Sequence, residues 1–174
     1  MASTSDDPRS KRADLLRTTS HDFCHALLKR TSPSELLSKY FTQNNPRITE
    51  HGPEWAKVEL PFIGTTFAGV SGENSCATYF EQLNKTLIMS RLKPNAFPGP
   101  NGFIVDPEAT TGEAGPTGVV CVVGRGTFEA RQSEVLWDEK FIYRLSAFDE
   151  EGKIGHWEIW ADPLSAWDAV VSGI

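Results

Sequence analysis

Residues 148–170 read "FDEEGKIGHWEIWADPLSAWDAV", and this stretch decides the fold. "EEGK" (150–153) is polar and carries a glycine, the composition of a turn. It separates "VLWDEKFIYRLSAFD" (135–149) from "IGHWEIWAD" (154–162), and the first of these follows "GVVCVVGRGTFEAR" (118–131). All three runs are rich in β-branched and aromatic residues, so three long antiparallel strands in succession are expected. Asp162 then offers a helix cap before Pro163. Leu164, Trp167, Val170 and Val171 follow at i, i+3, i+6 and i+7, which predicts a short closing helix.

Side chains alternate along a strand. His156, Glu158, Trp160 and Asp162 therefore share one face of the last strand, and Trp157, Ile159 and Ala161 share the other. With the first face inward, Glu158 is a candidate general base and His156 its acid partner. With the second inward, Trp157 and Ile159 line an apolar cavity, and the polar set meets solvent or another subunit. Asp162 reads first as a helix cap and is carried as a third candidate acid.

Upstream, Leu16, Phe23 and Leu27 form one stripe of a helix between Ala13 and Arg30. "TSPSELLSKYF" (31–41) opens with Ser32, Pro33 and Glu35, the signature of a second helix start. "RITEHGPEW" (47–55) reads as a short strand and a turn. Asn74 or Ser75 caps a third helix through "CATYFEQLNKTL" (76–87). Helices first and a strand meander afterwards give the α+β class. Residues 1–11 read as a mobile tail, 12–174 as a single domain, and the Pro- and Gly-rich segment 94–117 as a long loop, either a lid or disordered.

Composition narrows the function. A chain of 174 residues with 39% hydrophobic content is long enough for one core enclosing a pocket. The net charge is -6, and the 17 Lys and Arg are scattered apart from "PRSKR" (8–12), which argues against nucleic acid or a membrane surface as partner. No apolar run approaches the ~20 residues of a membrane span, and "MASTSDDPRSKRAD" lacks a secretory core, so a cytoplasmic location is expected. Cys24, Cys76 and Cys121 each sit among apolar neighbours and read as buried thiols. The four histidines form no ligand pattern, so no metal is expected. "GRG" (124–126) lies inside a strand run and is not a phosphate loop.

"EHGPEW" (50–55), "GENSCATYFEQL" (72–83) and "FDEEGKIGHWEIWADPLSAWDAV" together resemble the SnoaL-like branch of the nuclear transport factor 2-like superfamily, in particular its stand-alone fungal members. The resemblance runs from about Ala13 onward and leaves out the loop. It implies a cone-shaped α+β barrel, with N-terminal helices packed on a curved, mainly antiparallel sheet around an apolar pocket. It also implies a cofactor-independent isomerase, cyclase or dehydratase, moving protons on a hydrophobic carbonyl-containing small molecule, with secondary metabolism as its setting. A non-catalytic binding or dimerising module of the same fold is the alternative, and a homodimer through the outer sheet fits both. Epoxide hydrolases of the limonene type place an Arg-x-Asp pair and a terminal Asp where this chain has Arg125, Thr127 and Ile159. Those carboxylates are missing, which argues against that mechanism.

Around such a pocket, Arg125 is a candidate contact for an oxygen that gains charge, because an unpaired arginine in an apolar run needs a partner. Tyr143 is a candidate donor to a carbonyl, and Phe141 shares its face. His51 and Trp55, after the first strand, and Trp157 and Trp160 complete the candidate substrate-binding set.

Overall fold

The computed structural model describes residues 7–89, 93–112 and 117–172. Helix α1 spans Pro8–Leu28, with the Asp7 carboxylate accepting the Arg9 N–H at 3.3 Å and proline in the first turn. Residues 8–11, expected in a mobile tail, are therefore helical; residues 1–6 lie outside the described residues. Arg12 fastens this first part of the helix, donating to the Asp149 carbonyl at 2.7 Å in the turn that holds Gly152.

The remaining elements are α2 (Pro33–Tyr40), β1 (Arg47–His51), β2 (Thr66–Ala68), α3 (Cys76–Thr86), β3 (Leu87–Ile88), β4 (Ile104–Asp106), β5 (Val119–Ala130), β6 (Leu136–Ser146), β7 (His156–Trp160) and α4 (Pro163–Val171). Ser32 and Ser75 cap α2 and α3 as their positions predict. One open sheet takes the order β2-β1-β7-β6-β5-β3, with β4 also on β5. Only β1 and β7 run parallel; the other pairs are antiparallel. This is the expected α+β cone, with the helices packed on a curved sheet. No helix among the described residues is long and apolar enough to cross a membrane.

The third strand is shorter than its sequence suggests, beginning at His156. Ile154 is drawn to the end of α2 instead, donating to the Tyr40 carbonyl at 2.8 Å and accepting from Thr42 at 3.0 Å. These bonds hold α2 against the sheet. Trp157 is the hub of the core, with Phe23 of α1, Tyr79 of α3 and Tyr143 of β6 all edge-on to it at 5.0 to 5.8 Å.

The described part of segment 94–117 is built into the fold, and residues 113–116 lie outside the described residues. Ala96, Phe97 and Phe103 are buried, and the Ala96 carbonyl accepts the Arg125 N–H at 2.9 Å. Phe97 packs on Phe141 and Tyr143 beside Gly124. A Cβ on Gly124 would lie 2.2 Å from the Phe141 ring, so only glycine lets this plug seat.

Candidate active site

Strand register decides which side chains meet. Val122, Tyr143, Ile159 and Glu50 stand directly opposite one another on β5, β6, β7 and β1. Val120, Leu145, Trp157 and Ile48 form the neighbouring row, and both rows face inward, fully or almost fully buried. Between these rows and α3 lies a cavity of about 40 Å³, lined chiefly by Glu50, Tyr79, Glu139, Phe141, Tyr143, Trp157 and Ile159. That volume holds a few waters or the reacting end of a small molecule. Half-buried Met89, Trp137 and Asp162 form its rim.

Glu50 is the deepest charged group. Its carboxylate accepts the Tyr79 hydroxyl at 2.6 Å. Burial pushes its pKa up to about 7; the Tyr79 hydrogen bond opposes this, and the charge of Glu139 adds to it. Near neutral pH the group is thus poised between acid and base, as general acid–base catalysis requires. Burial also raises the Glu139 carboxyl, against the 2.9 Å bond from the Trp137 indole N–H and a bond from the Asp162 backbone. Two donors stand free. Among the described residues the Tyr143 hydroxyl makes no hydrogen bond, and the buried Trp157 indole N–H has no partner. A native interior seldom leaves such groups unpaired, so they mark room for an acceptor on a ligand.

Of the residues singled out from sequence, Tyr143, Phe141 and Trp157 line this cavity, and Asp162 stands at its rim. Asp162 caps α4, accepting from the N–H groups of Leu164 and Ser165 and from the Ser165 hydroxyl, and these bonds hold its carboxyl below the usual range.

The expected catalytic pair is corrected. Glu158 and His156 lie on the outer face of the sheet, because Trp157 and Ile159 take the inward parity. Glu158 pairs there with Arg144 and, at 3.2 Å, with His51, while His156 bonds Thr49 at 2.9 Å. Burial works against ionising Glu158, yet the Arg144 bond and the neighbouring His156 keep its carboxyl below the ordinary range. Burial likewise lowers His156.

Four other expectations change. His51 touches the cavity rim, but its ring stacks on Trp160 at 4.1 Å and bonds Glu158 on the outer face, where Trp160 also lies. Trp55 is 53% exposed and packs edge-on against Trp167, away from the cavity. Arg125 is exposed opposite Lys140 and lines a groove on the outer side, apart from the cavity.

Glu50, Tyr79 and Glu139 were missed, although the pattern held a signal. In "RITEH" an acid shares strand parity with Ile48, the only large apolar residue of the segment. Glu139 likewise shares parity with Trp137, Phe141 and Tyr143.

No family model matches the chain, and no curated protein matches it. Solved structures do. An NTF2-like protein from Burkholderia xenovorans superposes with a TM-score of 0.63 at 16% identity, over 91% of this chain and 97% of its own. A protein provisionally named a SnoaL-like polyketide cyclase, from Jannaschia, gives 0.57 at 14% identity over 97% of each chain. A ketosteroid isomerase-like protein from Erwinia carotovora gives 0.52 at 8% identity, over 87% of this chain and 97% of its own. All three are bacterial, so they lend nothing to the likeness with fungal members. With topology, cavity and superpositions in agreement, the chain has the nuclear transport factor 2-like fold, the α+β cone that SnoaL-like proteins share.

Proposed function

We propose that the protein is a cofactor-independent isomerase, cyclase or dehydratase that moves protons on a small, hydrophobic carbonyl compound. One observation carries this: a carboxyl group, Glu50, buried at the cavity with a pKa near 7 and beside phenolic and indole donors. The Glu50 carboxylate takes a proton from the carbon next to the carbonyl. The electron pair moves onto the carbonyl oxygen, where the free donors of Tyr143 and Trp157 meet the growing charge in a place that excludes water. Glu50 then returns the proton, to another carbon in an isomerisation or to a departing hydroxide in a dehydration. Tyr79 steadies the ionised form of Glu50 between these steps. The apolar walls of Phe141 and Ile159 disfavour charge elsewhere.

The test is exchange of solvent deuterium into a panel of small ketones. Wild-type protein is expected to catalyse exchange on at least one of them, and Glu50→Gln to reduce it by about a hundredfold or more. Equal rates in the two proteins would remove Glu50 from the chemistry.

Two copies pairing through the outer sheet accompany this proposal. Val123, Ile142 and Trp160 stand opposite one another there and remain 55%, 45% and 39% exposed, an apolar row of the kind that a second copy covers.

A further inference from the structure

The cavity has a one-sided charge. Glu50, Glu139 and Asp162 line it, and among the described residues no lysine or arginine does. His51, at the rim, directs its ring to Glu158 on the outer face. Lys93, Arg125 and Lys140 line a groove on the outside that Glu139 also borders, and none of them is within ion-pair distance of it.

We infer that the molecule taken up here carries a positive charge, as an ammonium or other protonated nitrogen, held by Glu139 and the aromatic walls while its carbonyl end reaches Glu50. The carbonyl half of this statement rests on the proton-transfer proposal above; the charge half rests on the lining alone. Asp162 repels charge on Glu139, and Glu139 repels charge on Glu50, so two of the three acids are pushed toward their neutral forms by each other as well as by burial. A cation between them relieves that repulsion, and an anion adds to it.

The walls fit the same ligand. Phe128 and Trp137 stack at 5.7 Å, and Phe141 and Tyr143 sit 4.9 Å apart beyond them. Electron-rich ring faces attract a cation in a way that aliphatic walls do not. Among the described residues neither the Tyr143 hydroxyl nor the buried Trp157 indole N–H has a hydrogen-bond partner, an independent sign that a polar molecule completes the site. They are donors, and they suit the oxygen of the ligand while the carboxylates take its nitrogen.

The experiment compares three probes of similar shape, benzylamine, benzyl alcohol and benzoate, by calorimetry on the intact protein. Benzylamine is expected to bind about tenfold or more tighter than the alcohol, with benzoate weakest. Glu139→Gln is expected to bring the amine and the alcohol close to equality. Should that variant fold poorly, wild-type protein still provides a readout. The amine-to-alcohol ratio is expected to rise between pH 5.5 and 8 as Glu50 ionises, because the amine itself stays protonated. An alcohol or benzoate that binds as tightly as the amine, a ratio flat with pH, or no binding of benzylamine at all would overturn the inference. The two proposals fail separately. Glu50-dependent exchange on neutral ketones without amine preference sinks only the charge, and amine preference without exchange sinks only the proton transfer.

Discussion

The Tyr79 hydroxyl donates to the Glu50 carboxylate at 2.6 Å, joining α3 to β1 at a point where both residues are buried. The bond places the one fully buried carboxyl among the described residues against the cavity and lowers the cost of ionising it.

A stability signature follows. Glu50 titrates near 4.5 when solvated and near 7 in the fold. Below pH 4.5 it is protonated in both states. Between 4.5 and 7 the folded protein keeps a proton that the unfolded chain has released, so this contribution to stability falls as pH rises. Above 7 the full penalty, on the order of 3 kcal/mol, is present. Glu50→Gln is therefore expected to be more stable than wild type at pH 8 and close to it at pH 4.5. Urea denaturation at the two pH values checks this.

Tyr143→Phe keeps the ring that packs on Trp157 and Phe141 and removes only the unpartnered hydroxyl. Stability is expected to stay within about 0.5 kcal/mol, while carbonyl exchange drops by about one to two orders of magnitude. Unfolding curves beside exchange rates separate the two effects; an unchanged rate would remove Tyr143 as an oxyanion donor.

Glu158→Gln serves as the contrast. The variant breaks the bond with Arg144 and disturbs the one with His51 on the outer face, and Glu158 itself does not line the cavity. Because Glu158 ionises more easily in the fold, its stabilisation is present above the usual carboxylate range and disappears as pH falls through its lowered value. A loss of about 1–2 kcal/mol at pH 7 is expected, shrinking in acid, with exchange per folded molecule within twofold of wild type.

Gly124→Val forces a side chain against Phe141 and the Phe97 plug. A loss of about 1–3 kcal/mol is expected, measured by thermal unfolding. Retention of full stability would mean that the 93–99 segment seats differently.

Most of the fold was legible because turns and caps are local. Asp162-Pro163, Ser32-Pro33 and "EEGK" each fix an element by its own residues, and the three β-rich runs give the meander. The site was harder to read because it depends on parity, and one strand read alone has two. On β7, the His-x-Glu pattern drew attention to the outer face, while the burial of Trp157 and Ile159 was decided by Phe23, Tyr79 and Tyr143 from other elements. The Glu50–Tyr79 bond joins residues 29 positions apart, and no local pattern announces it. Asp7 was equally local as a cap, yet the charged first turn of α1 lacked apolar spacing and read as a tail.

The most direct measurement is a titration of ¹³C-labelled glutamate carboxyls by NMR, in wild type and in Glu50→Gln. One carboxyl resonance with a midpoint near 7, missing from the variant, is the expected result and places a dry, neutral-poised acid in the cavity. If the resonance lost in Glu50→Gln titrates near 4.5 instead, Glu50 is a solvated carboxylate, and the proton-transfer site described here does not exist.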